Sequence, residues 1–456
     1  MGFRRTHAGP RRVASDRLSH PAQVIATGFG TAILIGTALL SLPVATESGQ
    51  RAHLVDALFT ATSAVCVTGL ITVDTGTYWS TFGEVVIIVL IQAGGLGIMT
   101  LATLFAVLVS GRLGLRARLV AQAETQGLGL KDVRRVGRNI VLFSLVSEFV
   151  VATILTVRFV VGYDEPFGAA TYDAVFHAIS AFNNAGFSLN TDSLVRFVAD
   201  PWVSLTIAVA FIAGGIGFPV LFELARSWRR PREWSVLTRL TLGVSATLLA
   251  IGTIVLTVAE YSNPKTLGPL SDPAKLLGGF FAAATPRSAG FNTIDTSAMT
   301  SEGLLFTDIL MFIGGGSAST AGGIKVTTFG LLAFVIWAEL RGETRVNVGR
   351  RRIPETNQRQ ALAIALLGIG LVAVTTFVLL NMSARDLDHV LFDAVSAICT
   401  VGLSTGVTAD LPRAGHLLMV VLMFVGRIGP LSLYYGLALR ERGRRFELPE
   451  ERTIVG

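Results

Sequence analysis

An all-α integral membrane protein, with four parallel M1–P–M2 repeats arranged pseudo-fourfold around one central pore, is the fold the sequence predicts. Here M1 and M2 are long apolar helices and P is a short one between them. Three observations predict it. The chain is 51% hydrophobic with a mean hydropathy of +0.60, and only 15% of its residues are charged; soluble domains average roughly 25%, so most of this surface must face lipid. Four times a phenylalanine is followed ten residues later by a glycine: Phe59 and Gly69, Phe176 and Gly186, Phe280 and Gly290, Phe392 and Gly402. Each glycine precedes Leu or Phe, and successive glycines stand 117, 104 and 112 residues apart, which marks internal repetition. Finally, the arginines gather between the apolar blocks, at Arg4 to Arg17, Arg112 to Arg138, Arg226 to Arg239, Arg341 to Arg359 and Arg440 to Arg452.

Lys/Arg excess marks cytoplasmic segments, so all five clusters and both termini are assigned to the cytosol of a multi-pass protein in the cytoplasmic (inner) membrane. The net charge of +7 does not point to nucleic acid, because few stacking aromatics lie among the arginines. The first apolar run, Val24–Leu42, is longer than the roughly 7–15 residues of a signal-peptide core. It reads as a retained helix closed by Pro43.

The elements follow in order within each repeat. The M1 segments are Val24–Leu42, Gly137–Val161, Leu237–Ala259 and Ala361–Leu380. The P segments, His53–Ala64, Ala170–Ala181, Ala274–Thr285 and Asp388–Ala397, are too short to cross a core about 30 Å thick. They are read as re-entrant helices, since bare loop in lipid leaves backbone groups unpaired. The M2 segments are near Phe82–Val109, Trp202–Leu224, Leu304–Ala338 and His416–Leu439. This divides the chain into a basic N-terminus (1–21), repeats at 22–110, 136–226, 237–340 and 358–440, cytosolic loops at 111–135, 227–236 and 341–357, and a C-terminal tail (441–456). Two crossings per repeat return the chain to the cytosol, so the repeats are parallel, unlike the inverted pairs of many carriers.

Each P helix aims its C-terminal end, equivalent to about half a negative charge, at the glycine loop that follows. Four such ends favour a cation on the axis, and a ring of backbone carbonyls can replace its hydration shell. The candidate selectivity filter is Val67-Thr68-Gly69, Asn184-Ala185-Gly186, Ser288-Ala289-Gly290 and Thr400-Val401-Gly402. Side chains vary between copies while the glycine does not, as expected where main-chain oxygens are the ligands. Ser63-Ala64, Ser180-Ala181 and Ser396-Ala397 precede three loops; the third departs with Ala284-Thr285. Cys66 and Cys399, each three residues before a key glycine, are given packing or lining roles. Arg287 is read as a brace for its loop and His177 as a buried residue of the second P helix.

The M2 segments also align on glycine: Gly94-Gly95-Leu96-Gly97, Gly214-Gly215-Ile216-Gly217, Gly314-Gly315-Gly316-Ser317 and Gly426-Arg427-Ile428-Gly429. In the third copy the run continues through Ala318, Ser319, Thr320, Ala321, Gly322 and Gly323. Each interior glycine costs about 1 kcal/mol relative to alanine, so this helix is expected to break at membrane depth. Such a break is tolerated only where backbone lines a cavity. Arg427 costs at least about 2.5–3.5 kcal/mol in lipid and is expected to face the pore below the filter. Lys325 is left with two readings, a gate partner or a mark of the cytosolic end.

The stretches DALFTATSAVCVTGL (Asp56–Leu70), HAISAFNNAGFSL (His177–Leu189), ATPRSAGFNT (Ala284–Thr293), GGGSASTAGGIK (Gly314–Lys325) and FVGRIGPL (Phe424–Leu431) resemble the Trk/Ktr/HKT superfamily of potassium transporters, nearest to its Ktr-type membrane subunits. The resemblance runs through essentially the whole chain. It implies potassium uptake through the filter, a gating intramembrane loop at Gly314–Gly323 and a pore arginine at Arg427. It also implies sodium as an activator or co-ion, and no covalently bound cofactor. The implied assembly is a homodimer on a cytosolic ring of nucleotide-binding regulatory subunits (RCK-type, KtrA-like), with the tail Phe446–Gly456 at the dimer contact. Channel-like and symporter-like turnover both stay open.

Two other classes compete. A proton- or sodium-coupled carrier for another small solute usually needs titratable groups at mid-membrane and inverted repeats. An intramembrane hydrolase built on Ser317 or Ser319 needs a nearby base, and His177 and His389 lie in other repeats. No enzyme activity is expected.

Overall fold

The structure, a computed structural model, describes residues 21–112, 130–343, 345–348 and 351–438. The arginine-rich N-terminus, most of the loop 111–135 and the tail 441–456, with its expected dimer contact, lie outside the described residues.

The first quarter of the chain folds as α1 (Pro21–Leu40), a short α2 (Leu54–Val65) and a long α3 (Thr81–Arg112). The second has α4 (Leu130–Tyr163), a short α5 (Phe167–Phe182), then α6 (Pro201–Ile216) and α7 (Phe218–Ser227). The third has α8 (Val236–Glu260), a short α9 (Asp272–Ala284), then α10 (Ser301–Phe312) and α11 (Val326–Leu340). The fourth has α12 (Glu355–Leu380), a short α13 (Leu387–Ile398) and α14 (Arg413–Ala438). Polar residues just outside the apolar runs start several of these helices. Asp200 accepts from the Trp202 and Val203 amides with Pro201 in the first turn, Ser235 from Thr238 and Thr300 from Gly303, each satisfying a donor that the helix start leaves open.

Gly137–Tyr163, Val236–Glu260 and Glu355–Leu380 are each long and apolar enough to cross a membrane, and the bent pair α6–α7 makes a fourth candidate. Their outward faces are apolar: Phe149 and Val161 on α4, Ile254 and Val258 on α8, Leu366 and Phe377 on α12 are all exposed. Lipid is the solvent such faces require. The short helices lie inside. Phe59, Phe176 and Phe392 are fully buried and Phe280 partly so, so the recurring phenylalanine anchors each short helix in the core.

Each short helix packs against the long helix before it, α1 with α2, α4 with α5, α8 with α9 and α12 with α13. In addition α3 packs on α5, α6 on α9, α10 on α13 and α14 on α2. The second long helix of every quarter therefore lies against the short helix of the next, and the last closes onto the first.

The third M2 segment is broken as expected, and two further features, a bend in the second M2 segment and a short hairpin, were not expected. α10 stops at Phe312 and α11 starts at Val326; the ends of the gap are stitched by Gly314 N to Ile324 O (2.9 Å) and Ile324 N to Phe312 O (3.2 Å), so residues 315–322 form a loop with its ends together. The segment Trp202–Leu224, expected as one helix, bends by 102° between α6 and α7. The hinge is Gly217 at φ 102°, followed by Pro219, which has no amide to give the preceding turn. The amide of Phe218 is taken instead by the Ala318 carbonyl at 3.3 Å. A short antiparallel hairpin, β1 (Asn347–Val348) with β2 (Arg351–Arg352), lies in the basic loop 341–357. It is the one sheet among the described residues.

Candidate functional site

The four short helices end immediately before the glycine loops, and the loops repeat one backbone course. Gly69, Gly186, Gly290 and Gly402 have φ of 95°, 72°, 79° and 99°, and the residues two before them, Val67, Asn184, Ser288 and Thr400, have φ of 54°, 59°, 71° and 49°. Left-handed backbone at β-branched Val67 and Thr400 is strained. In the first loop the amides turn back to the helix end: Val67 N to Ala64 O (3.1 Å), Thr68 N to Ser63 O (2.8 Å) and Gly69 N to Ser63 Oγ (3.0 Å). The fourth loop repeats this through Ala397 O, Ser396 O and Ser396 Oγ. In these two loops left-handed and ordinary residues thus alternate, and the amides are taken up by the helix end.

The loops meet in a closed cycle. A Cβ on Gly69 would overlap the Ala185 carbonyl oxygen, one on Gly186 would crowd that of Ala289, one on Gly290 that of Val401, and one on Gly402 that of Thr68. Each glycine thus makes room for the carbonyl before the next glycine, and the fourth loop returns to the first. Val67, Thr68, Asn184, Ala185, Ser288, Ala289, Thr400 and Val401 are all buried around this ring. The irregular third copy keeps its hydroxyl tether in another register. Ser180 donates to Phe187 O at 2.8 Å, and Thr285, one place further along, donates to the matching Phe291 O at 2.5 Å.

The interrupted segment 314–323 lies against the ring. Thr320 Oγ1 donates to Asn184 Oδ1 (2.7 Å). Ser288 Oγ accepts from Gly322 N (2.8 Å) and donates to Thr400 O (2.8 Å), linking the segment to two loops at once. Backbone bonds from Gly316 N to Gly215 O (2.8 Å) and Thr320 N to Gly214 O (3.2 Å) tie it to α6. Gly314, Gly315 and Gly316 fit where a Cβ would overlap the carbonyls of Gly322, Gly215 and Ile216 respectively. Ala318 and Gly323 take left-handed φ of 56° and 67°. Ser319 Oγ donates to Gly316 O (2.7 Å) and Ser317 Oγ shares a hydrogen bond with Thr327 Oγ1 (2.9 Å). Among the described residues neither serine hydrogen-bonds a histidine or carboxylate.

Two cationic side chains hold consecutive carbonyls of that segment. Buried Arg427 donates from Nη1 to Thr320 O (2.6 Å), and Lys325 Nζ donates to Ala321 O (2.5 Å). Lys325 is thus folded back on the segment rather than directed away from it. Arg427 Nε and Nη2 have no hydrogen-bond partner among the described residues. Arg287 braces the third loop against α8, through Nη2 to Ser245 Oγ (2.7 Å) and Nη1 to Ser245 O (3.3 Å). His177 is buried between Asp173 and Ser188 Oγ (2.9 Å). Cys66 and Cys399 are free and buried.

Reading the sequence missed the left-handed residues two before each glycine, for which side-chain type gives no signal. It also missed the Ser288 and Thr320 bonds between segment and ring, which join residues 34 and 136 positions apart. Among the described residues no group of three or more His, Cys, Asp or Glu is disposed to hold a metal ion.

Comparison with known proteins gives consistent results. The family TrkH, described as cation transport protein, matches residues 3–440. The Ktr system potassium uptake protein B of Bacillus subtilis (strain 168) is 42% identical, over 96% of this chain and 97% of its own. A protein of the same name from Vibrio alginolyticus is 38% identical over 95% and 94%. The potassium/sodium uptake protein NtpJ of Enterococcus hirae is 35% identical over 96% and 98%. The crystal structure of the potassium transporter TrkH from Vibrio parahaemolyticus shares the fold, with a TM-score of 0.69 at 18% identity, over 95% of this chain and 87% of that one.

Proposed function

This chain belongs to the TrkH cation transport protein family, and from that premise we propose that it takes up potassium across the cytoplasmic membrane as the ion-translocating subunit of a Ktr-type system. The observation that carries the reading is the closed cycle in which each loop glycine accommodates the carbonyl of the next loop. Relatives named for potassium uptake, matching over nearly the whole chain, supply the ion.

The proposed path runs along the axis of four parallel M1–P–M2 repeats with both termini in the cytosol. A cation exchanges its water for ring carbonyls while four helix ends supply negative potential. One charge moving through 100 mV gains about 2.3 kcal/mol, so the membrane potential alone drives accumulation.

Residues 314–323 act as the gate beneath the filter, with Lys325 and Arg427 as its cationic clasps. Opening breaks the Thr320–Asn184 and Gly322–Ser288 bonds and the Arg427–Thr320 bond. At about 1 kcal/mol for a neutral hydrogen bond and 1.5–3 for a charged one, the closed state is held by roughly 4 kcal/mol. A shift of that order is what a regulatory partner has to supply. Cytosolic nucleotide-binding subunits, a homodimeric arrangement and sodium stimulation complete the proposal.

Rubidium uptake into potassium-loaded proteoliposomes containing only this chain tests the reading; uptake blocked by excess external potassium is expected, and its absence counts against it. Arg427→Ala removes one clasp and a positive charge from the path. It is expected to raise basal rubidium flux about tenfold or more, matching the loss of one charged hydrogen bond; unchanged flux would remove Arg427 from the gate.

A proton- or sodium-coupled carrier for another small solute is the second reading. It is favoured by Asp308 on α10, buried, whose Oδ1 has no partner among the described residues. Dependence of uptake on an imposed proton or sodium gradient, with no rubidium–potassium competition, would support it.

A further inference from the structure

Glu148 stands in the middle of α4, inside a stretch apolar enough to span the membrane, and is 6% exposed. Among the described residues no lysine or arginine pairs with it, and its hydrogen bonds come from neutral donors. Its carboxylate accepts from Ser144 Oγ (2.7 Å), from Gln92 Nε2 on α3 (3.1 and 3.3 Å) and from Asn183 Nδ2 (3.2 Å). Asn183 Nδ2 also donates to Gln92 Oε1 (2.7 Å). Asn183 is the first residue past α5 and leads directly into the second loop of the ring. Three elements from two quarters of the chain thus meet on one carboxylate behind that loop.

The third loop has a peg at the same place. Asn183 and Arg287 each stand three residues before their ring glycine, and their partners Glu148 and Ser245 each stand fifteen before the last residue of α4 and α8. In the first and fourth loops the position belongs to Cys66 and Cys399. At this position two loops therefore carry a polar side chain with a hydrogen-bonded partner and the other two a buried thiol. On the second loop the peg works against a second tether, the Thr320 bond to neighbouring Asn184. A buried carboxylate in a membrane span is costly, and one kept there without a countercharge marks function.

We propose that Glu148 is a positioning residue for cation selection: by fixing Gln92 and Asn183 together it sets the backbone of Asn184–Gly186, and so how sharply the ring separates potassium from sodium. This rests on the reading of the ring as the filter. Three donor groups converge on the two oxygens of Glu148, and the isosteric amide offers them one acceptor oxygen in place of two.

The test is the rubidium-to-sodium flux ratio of reconstituted full-length protein. Glu148→Gln is expected to lower the ratio roughly tenfold, the scale one hydrogen bond sustains, while changing rubidium influx less. Asn183→Leu is expected to do the same, and the double variant no more than either alone, because the two act through one link. An unchanged ratio in Glu148→Gln, or additive losses in the double variant, would overturn the inference. Should Glu148→Gln fail to accumulate, Gln92→Ala breaks the same bridge and carries the same expectation and the same refutation. Gly290→Ser, measured alongside, separates the two levels. If it abolishes selectivity and the Glu148 and Gln92 variants do not, only the peg is wrong; if it too has no effect, the filter reading itself fails.

Discussion

Removing residues 315–322 is expected to leave potassium flux open without any regulatory partner. The deletion suits this chain because the segment's ends already touch: Ile313 and Ile324 pair as a bridge, and a Cβ on Gly323 would sit 3.2 Å from the Gly314 Cα. Gly314 can therefore be joined to Gly323 with α10 and α11 left in place, as in a compact loop whose ends are close. What is lost is the set of bonds from Thr320 and Gly322 to the ring and the carbonyls held by Lys325 and Arg427. The Thr320, Gly322 and Arg427 bonds among these hold the closed state by roughly 4 kcal/mol, and releasing them shifts a closed–open equilibrium by about a thousandfold. Rubidium uptake by the purified variant, without partner protein, should match the stimulated wild-type rate. Flux equal to unstimulated wild type would remove the segment from gating.

The second large effect is expected at Gly290. Its φ of 79° disfavours any side chain, and a Cβ there would crowd the Val401 carbonyl oxygen and the Cα atoms of Gly186 and Gly402. Gly290→Ser therefore has to push three of the four loops apart, enlarging the ring and displacing a candidate ligand. The rubidium-to-sodium flux ratio is expected to fall close to one, with total flux reduced. Gly243→Ser on α8 is the control, since a Cβ there meets nothing within 4 Å. A preserved ratio in the Gly290 variant would exclude that position from ion selection.

Much of this architecture is legible in the residues because burial and length are local properties. The short apolar runs became helices at Leu54–Val65, Phe167–Phe182, Asp272–Ala284 and Leu387–Ile398, within three residues of the expected limits. The break in the third M2 segment was readable because a glycine run cannot hold a helix. The bend at Gly217 was not. Gly97 occupies the same aligned position, yet α3 runs through it unbroken. The difference comes from Pro219 and from the third quarter's Ala318 carbonyl, which captures the Phe218 amide, a partner 100 residues away in sequence. The pegs behind the loops were half visible. A glutamate at 148 inside an apolar run is a signal on its own, but its link to Asn183 exists only once α3, α4 and α5 are packed. The altered Ala284-Thr285 pair looked like a departure and turned out to be a displaced hydroxyl doing the same tethering.

The central claim is that carbonyls of four loops jointly bind the transported ion. Anomalous diffraction from crystals grown in rubidium addresses it directly. A rubidium peak on the axis enclosed by Gly69, Gly186, Gly290 and Gly402, within coordination distance of carbonyls from all four loops, is the expected result. Rubidium bound elsewhere, with the space between those glycines empty under the same conditions, would contradict it.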